Sequence, residues 1–129
     1  MGRLILLDSN AILDYFKGNL SSPEERRIST AIGNGEIVLS TITRLEILSG
    51  LHKEDRAEEM KNFLAEVLTL NMLSELETII VDIRRELRLK LPDAIIAATA
   101  LFLQIPLVTS DRRGFAHVKG LEVWVPERR

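Results

Sequence analysis

The chain reads as an α/β protein built on a parallel sheet that helices cover on both faces. Three observations predict this. Short, mostly apolar runs recur at residues 3–7, 36–39, 106–109 and 122–125. They show no polar alternation, which suits strands buried on both sides. Helical patterns fall between them, the alternation that yields parallel crossover units. The 129 residues are 46% hydrophobic and 28% charged, with no repeat or Pro/Gly-rich linker. That balance fits one domain over residues 1–129 with a sizeable core.

The elements follow in order. Residues 3–7 form a strand after one Arg. Residues 10–17 are a short helix stopped by Gly18. Ser22-Pro23-Glu24-Glu25 starts a helix, with Ser22 as cap, Pro23 in the first turn and Glu at the capping-box position. It ends near Gly33-Asn34-Gly35. Residues 36–39 are the second strand. Residues 42–49 are helical, with Ile42, Leu45, Leu48 and Ser49 on one side and Gly50 as the stop. Residues 57–66 place Met60, Phe63 and Leu64 at helical spacing, and residues 67–70 are a third strand. Residues 72–89 form a long amphipathic helix with Leu76, Ile79, Ile80, Ile83 and Leu87 inward. Pro92 opens a helix over 93–103 that is apolar nearly all round and therefore buried. The strands at 106–109 and 122–125 close the series.

Composition excludes several classes. There is no cysteine, so disulfides and thiolate metal sites are out and nothing points to an oxidising compartment. The apolar run Leu4 to Leu7 is too short for a signal-peptide core. The stretch 94–103 is half what a membrane helix needs. The expected location is the cytoplasm. The net charge of -2 and pI near 5.7 lack the bulk basicity of a nucleic-acid binder. A polyanionic substrate would need a local cationic rim.

The acids carry the chemistry. Asp8 ends the first strand and Asp111 the fourth, at the carboxyl edge where open α/β sheets bind ligands. Asp93 stands in the first turn of the buried helix, and Glu46 lies early in the helix after the second strand. Four carboxylates within about 5 Å would repel by roughly 3 kcal/mol per pair at an effective dielectric near 20. Such a cluster stays ionised only against a cation. With oxygen ligands alone the cation is hard, Mg²⁺ or Mn²⁺. The chemistry implied is phosphodiester hydrolysis.

Each acid also has a plainer alternative. Asp8 suits a helix cap. Glu46, three residues after Thr43, suits a capping box. Asp93 complements a helix dipole, and Asp111 suits an ordinary turn. Their joint placement at element ends favours the functional reading.

The same residues resemble the PIN-domain nucleases, and within them the VapC-type toxins of toxin–antitoxin pairs. Leu6-Leu7-Asp8-Ser9-Asn10 looks like the family's first motif and Ser40-Thr41-Ile42-Thr43-Arg44-Leu45-Glu46 its second. Leu91-Pro92-Asp93-Ala94-Ile95-Ile96-Ala97-Ala98-Thr99-Ala100 is similar to its most specific stretch. Val108-Thr109-Ser110-Asp111 with Phe115 looks like its fourth. The resemblance covers nearly the whole chain.

It implies a three-layer α/β/α sandwich and Mg²⁺ or Mn²⁺ held by Asp8, Asp93 and Asp111, with Glu46 acting through a metal-bound water. It makes Ser9, Asn10, Thr109 and Ser110 supporting residues. It further implies an endoribonuclease acting on structured RNA of the tRNA or rRNA class, a cognate antitoxin partner and a homodimer. In one departure, the positions where many members carry a further acid hold Arg113 and Gly114, so Asp111 acts without that helper.

Arg44 and Arg112, each close to an acid in sequence, are candidate phosphate holders on the pocket rim. The run Arg84, Arg85, Arg88 and Lys90 leads directly to Asp93 and offers further candidates for that rim; a solvated helix face, with Glu86 and Lys90 paired, is the favoured reading for Arg85 and Arg88. His52 and His117 lack metal-ligand spacing and read as surface residues. Tyr15 and Phe16 read as core. Met60, Phe63 and Leu64 fit core packing, a dimer seam or a partner groove. With the acidic pocket, they suit an antitoxin offering an apolar helix and a basic side chain.

Two other functions compete. An aspartyl-phosphate enzyme also gathers acids around Mg²⁺. Its phosphatase form wants an Asp where Asn10 stands, and its receiver form wants a Lys after the fourth strand, where there is none. A non-catalytic RNA- or protein-binding module is the second, and the complete acidic set argues against it.

Overall fold

The computed structural model describes residues 3–129. Its elements run β1 (Ile5–Leu7), α1 (Ser9–Phe16), α2 (Ser22–Gly33), β2 (Ile37–Ser40), α3 (Thr41–Gly50), α4 (Ala57–Glu66), β3 (Leu68–Leu70), α5 (Leu73–Leu87), α6 (Leu91–Leu103), β4 (Leu107–Val108) and β5 (Val123–Trp124). Short 3₁₀ turns lie at Leu51–Lys53 and Arg113–Phe115. The five strands stand in the order β3-β2-β1-β4-β5, every neighbouring pair parallel.

Successive strand residues face opposite layers. Leu6, Val38 and Leu107 pack with Leu76, Ile80, Ile83 and the buried face of α6. Leu7, Leu39 and Val108 pack on the other side with Ala11, Ile12, Met60, Phe63 and Leu64. Both faces are therefore apolar, which is why the strands read as unbroken hydrophobic runs. The result is the three-layer α/β/α sandwich with a central parallel sheet. Among the described residues no helix is long and apolar enough to cross a membrane.

The strand order places the reversal between β1 and β4. From β1 the chain moves outward to β2 and β3, then returns to add β4 and β5 on the other side. The crevice outside the carboxyl ends of β1 and β4 is thus the switch point where such sheets bind ligands.

Several local expectations change. The cap of α2 is Ser21, not Ser22, and it makes no side-chain cap bond. Pro23 occupies the second helical position, so the sequence signal located the start but not a capping box. Helix α3 buries Thr43 and Ile47, while Leu45 and Leu48 are 53% and 42% exposed. The face of α3 that turns inward is the one bearing Thr43 and Ile47, which leaves the two leucines on the outside, and the hydroxyl of Thr43 is buried without a partner. Met60, Phe63 and Leu64 are core residues at 1%, 8% and 2% exposure, and of the three only Phe63 reaches the floor of the surface groove between α1, α2 and α4.

Candidate active site

Asp8 follows the last residue of β1 and caps α1. Its Oδ1 accepts from the Ser9 amide at 2.8 Å, and its Oδ2 accepts from the Thr109 hydroxyl at 2.9 Å. Only 5% of it is exposed. The capping alternative is therefore correct as local structure, yet the same carboxylate faces other acids. Burial raises its pKa, the bonds from Thr109 and Ser9 lower it, and Asp93 and Asp111 raise it further. A cap alone would not be set against two like charges.

Asp93 stands in the first turn of α6. Desolvation and then the Asp111 charge raise its pKa, with Lys90 opposing. Glu46 stands on the open side of α3. Desolvation raises its pKa, a hydrogen bond from Ser9 lowers it, and the charges of Asp8 and Asp93 raise it. Ser40, not Thr43, caps α3, which removes the capping-box alternative for Glu46. Asp111 lies in the exposed loop after β4 and accepts the Gly114 amide at 3.2 Å. Asp8 thus feels the charges of Asp93 and Asp111, and Glu46 feels those of Asp8 and Asp93.

Asn10 and Thr109 tie the two halves together. Asn10 Oδ1 accepts the Ser110 amide at 2.8 Å and lies 3.2 Å from the Thr109 hydroxyl oxygen, whose proton goes to Asp8. Thr109 Oγ1 also accepts the Asp111 amide at 3.1 Å. Ser9, Asn10, Thr109 and Ser110 thus all touch the acids or the loop that carries one.

One position departs from the sequence expectation. Arg44 does not line the acids: its Nη1 donates to the carbonyl of Leu64 at 2.6 Å and approaches the Thr69 hydroxyl at 3.5 Å. Sequence nearness to Glu46 misled, because residues two apart on a helix point in different directions. Arg112 is exposed beside Asp111, as are Arg113 and both histidines.

Three residues take roles at the site that the sequence did not spell out. Lys90, three residues before Asp93, is the cation that Asp93 feels. The Gly114 amide supports Asp111 where the family pattern puts an acid. Asp14 accepts the Ser110 hydroxyl at 2.7 Å; its place one turn after Asn10 on the same helix was the available signal.

The donor set tests the metal expectation. Its carboxylates are oxygen donors only, mutually repelling and partly desolvated, which fits a hard divalent cation. Among the described residues no three acids or histidines already stand closely enough to enclose an ion. The fit is thus one of donor chemistry and charge, and the ligands would have to draw inward.

The family model for the PIN domain matches residues 5–121. The chain belongs to the PIN domain family. Among solved structures, this PIN domain is similar to a toxin–antitoxin complex from Klebsiella pneumoniae, at 28% identity and TM-score 0.75 over 97% of this chain and 99% of the other. DNA-bound VapBC from Salmonella typhimurium shares 20% identity and a TM-score of 0.77 over 96% and 98%. VapBC2 from Rickettsia felis, bound to a promoter DNA fragment, shares 19% identity and a TM-score of 0.76 over 95% and 98%. The last two speak to the fold alone. No curated protein matches the sequence.

Proposed function

We propose that this PIN domain is a divalent-metal-dependent endoribonuclease and the toxin of a toxin–antitoxin pair. The observation that carries the reading is that β1 and β4 pair side by side and Thr109 bonds both the Asp8 carboxylate and the Asp111 amide, which gathers acids from both strand ends near Asp93 and Glu46. Asp8, Asp93 and Asp111 would hold Mg²⁺ or Mn²⁺, which when bound would acidify water and offset charge on the scissile phosphate. The chain's own groups do the rest. Thr109 and Ser9 fix both oxygens of Asp8 so that its free lone pairs face the cleft. Glu46, exposed and with raised proton affinity, receives the proton of the attacking water at its carboxylate. Arg112 and Lys90 flank the acids and hold neighbouring phosphates, which supplies the cationic rim that the net charge lacks.

The substrate is structured RNA of the tRNA or rRNA class. Purified protein should cut RNA with Mg²⁺ or Mn²⁺ and stop in EDTA, leaving 5′-phosphate and 3′-hydroxyl ends. A 2′,3′-cyclic phosphate would instead assign the attack to the RNA's own 2′-hydroxyl and remove the water mechanism.

The antitoxin finds a groove beside the buried Met60 and Leu64. It lies between α1, α2 and α4, has a volume of about 650 Å³, and is floored by Tyr15, Phe16, Phe63 and Val67. Among the described residues, Glu59 and Glu66 are the only charged ones that line it. An amphipathic helix with a basic edge fits this chemistry. Co-expression with the product of an adjacent small gene should relieve growth inhibition, and the two should co-elute in gel filtration. A homodimer is proposed through the exposed Leu45 and Leu73, which line one small cleft; light scattering of the free protein tests it.

A further inference from the structure

Asn10 and Asp14 stand one turn apart on the same face of α1. Both reach one residue in the loop after β4. Asn10 Oδ1 accepts the Ser110 amide at 2.8 Å, and Asp14 Oδ2 accepts the Ser110 hydroxyl at 2.7 Å. Ser110 is thus gripped by main chain and side chain from a single helix face. It sits between Thr109, which holds Asp8, and Asp111, so turning Ser110 would turn Asp111.

The second oxygen of Asp14 is also engaged. Oδ1 accepts from Asn19 Nδ2 at 3.3 Å and pairs with Arg128 Nη2 at 3.4 Å. The Asp14 side chain is 14% exposed against 60% for Arg128. Residues 127–129 are themselves laced to the α1–α2 turn. Ser21 donates its amide to Glu127 at 2.8 Å and Arg129 its own to Asn19 at 2.9 Å, while Arg129 Nε donates to Gly18 at 2.8 Å. A continuous set of polar contacts therefore runs from this segment through Asp14 to Ser110.

We propose that Asp14 is a positioning residue: it braces the Asp111 loop from α1, and Arg128 keeps its carboxylate in the rotamer that does so. The proposal rests on the ribonuclease reading above and adds a fifth acid, one that orients the site without entering it. Asp14 has its negative charge matched by Arg128, so it can stand near the cluster without adding an unpaired charge.

The test uses the full chain, with Asp14→Ala, Ser110→Ala and the double variant. The first readout is amide hydrogen exchange without metal. The Ser110 and Asp111 amides should exchange about tenfold faster in each variant, while α5 amides keep wild-type rates. The second is RNA cleavage with Mn²⁺. The kcat should fall about tenfold, the lower end for groups that support a metal ligand, with KM within about twofold. The double variant should be no worse than either single, because each removes the same bond. Ser110→Thr, which keeps the hydroxyl, should recover most of the rate, and Arg128→Lys should act as wild type where Arg128→Ala does not. Unchanged exchange at Ser110 and Asp111 in Asp14→Ala, or losses that multiply in the double variant, would overturn the brace. A wild type that cuts no RNA with any divalent metal would overturn the ribonuclease reading instead, and the exchange rates would still decide the brace.

Discussion

Thr109 donates its hydroxyl to Asp8 at 2.9 Å, joining two buried residues 101 positions apart. The bond favours the charged carboxylate, yet burial outweighs it and the pKa of Asp8 rises. Asp8 is thus oriented by its neighbours but not neutralised by them. Its charge needs a partner that the protein does not supply.

Asp8→Asn tests this. The amide oxygen can still accept from Ser9 or Thr109, while the charge facing Asp93 and Asp111 is gone. Melts in EDTA should show equal or higher stability. Cleavage in Mg²⁺ should fall by roughly two or more orders of magnitude, since a lost ligand misplaces the cation. Asp93→Asn should behave alike. A variant cutting at near wild-type rate would take that residue out of the site.

The raised acids also set a pH dependence for the metal-free protein. The pKa values of Asp8 and Asp93 lie above 3.8 and that of Glu46 above 4.5. The folded state therefore holds these protons more tightly than the unfolded chain. Their stabilisation is full below the unfolded values and is lost as pH rises through the folded ones. In EDTA, the stability of wild type minus that of Asp8→Asn/Glu46→Gln/Asp93→Asn should fall as pH rises from about 4 towards neutrality. The melting-point gain from added Mg²⁺ should grow over the same range, because protons and cation compete. A flat or rising difference curve would contradict the coupling.

Arg44 and Arg112 should separate cleanly. Arg44→Ala removes the bond to Leu64 and should lower stability by about 1 kcal/mol without changing KM for RNA. Arg112→Ala should leave the melting point alone and weaken RNA binding. The slope of log affinity against log salt should drop by about 0.7, as for one lost phosphate contact to a single strand. Equal salt slopes for wild type and Arg112→Ala would take Arg112 off the rim.

Gly114 makes a finer probe. A Cβ there would meet Asp111 Oδ2 at 3.0 Å and Cγ at 3.6 Å. Asp111 is exposed and can rotate away, so Gly114→Ala should change stability by no more than about 0.5 kcal/mol. The carboxylate would then leave the Gly114 amide, and kcat should drop several-fold. Full activity would mean that this amide does not orient Asp111.

Much of the fold was legible because strands buried on both faces leave unbroken apolar runs, and those runs end where Asp8 and Asp111 begin. The side-chain directions were less legible. Leu45 and Leu48 look like core on a helical wheel, but α3 turns Thr43 and Ile47 to the sheet instead. Arg44 looked like a rim residue because adjacency in sequence is blind to the carbonyl of Leu64, which only the packing of α4 brings near. Asp14 escaped notice because its partners, Ser110 and Arg128, lie 96 and 114 positions away. The registration of Asp8 with Asp111 comes from β1 pairing with β4, a contact that no local pattern encodes.

The strand order carries a consequence for biosynthesis. β1 emerges early from the ribosome, but its neighbour β4 is made about a hundred residues later and must slot in beside it. Until then Asp8 and Asp111 belong to separate parts of a growing polymer, and long-range pairing of this kind forms slowly. A site that spans β1 and β4 is therefore incomplete for most of translation. The acids come together only as the last strands dock.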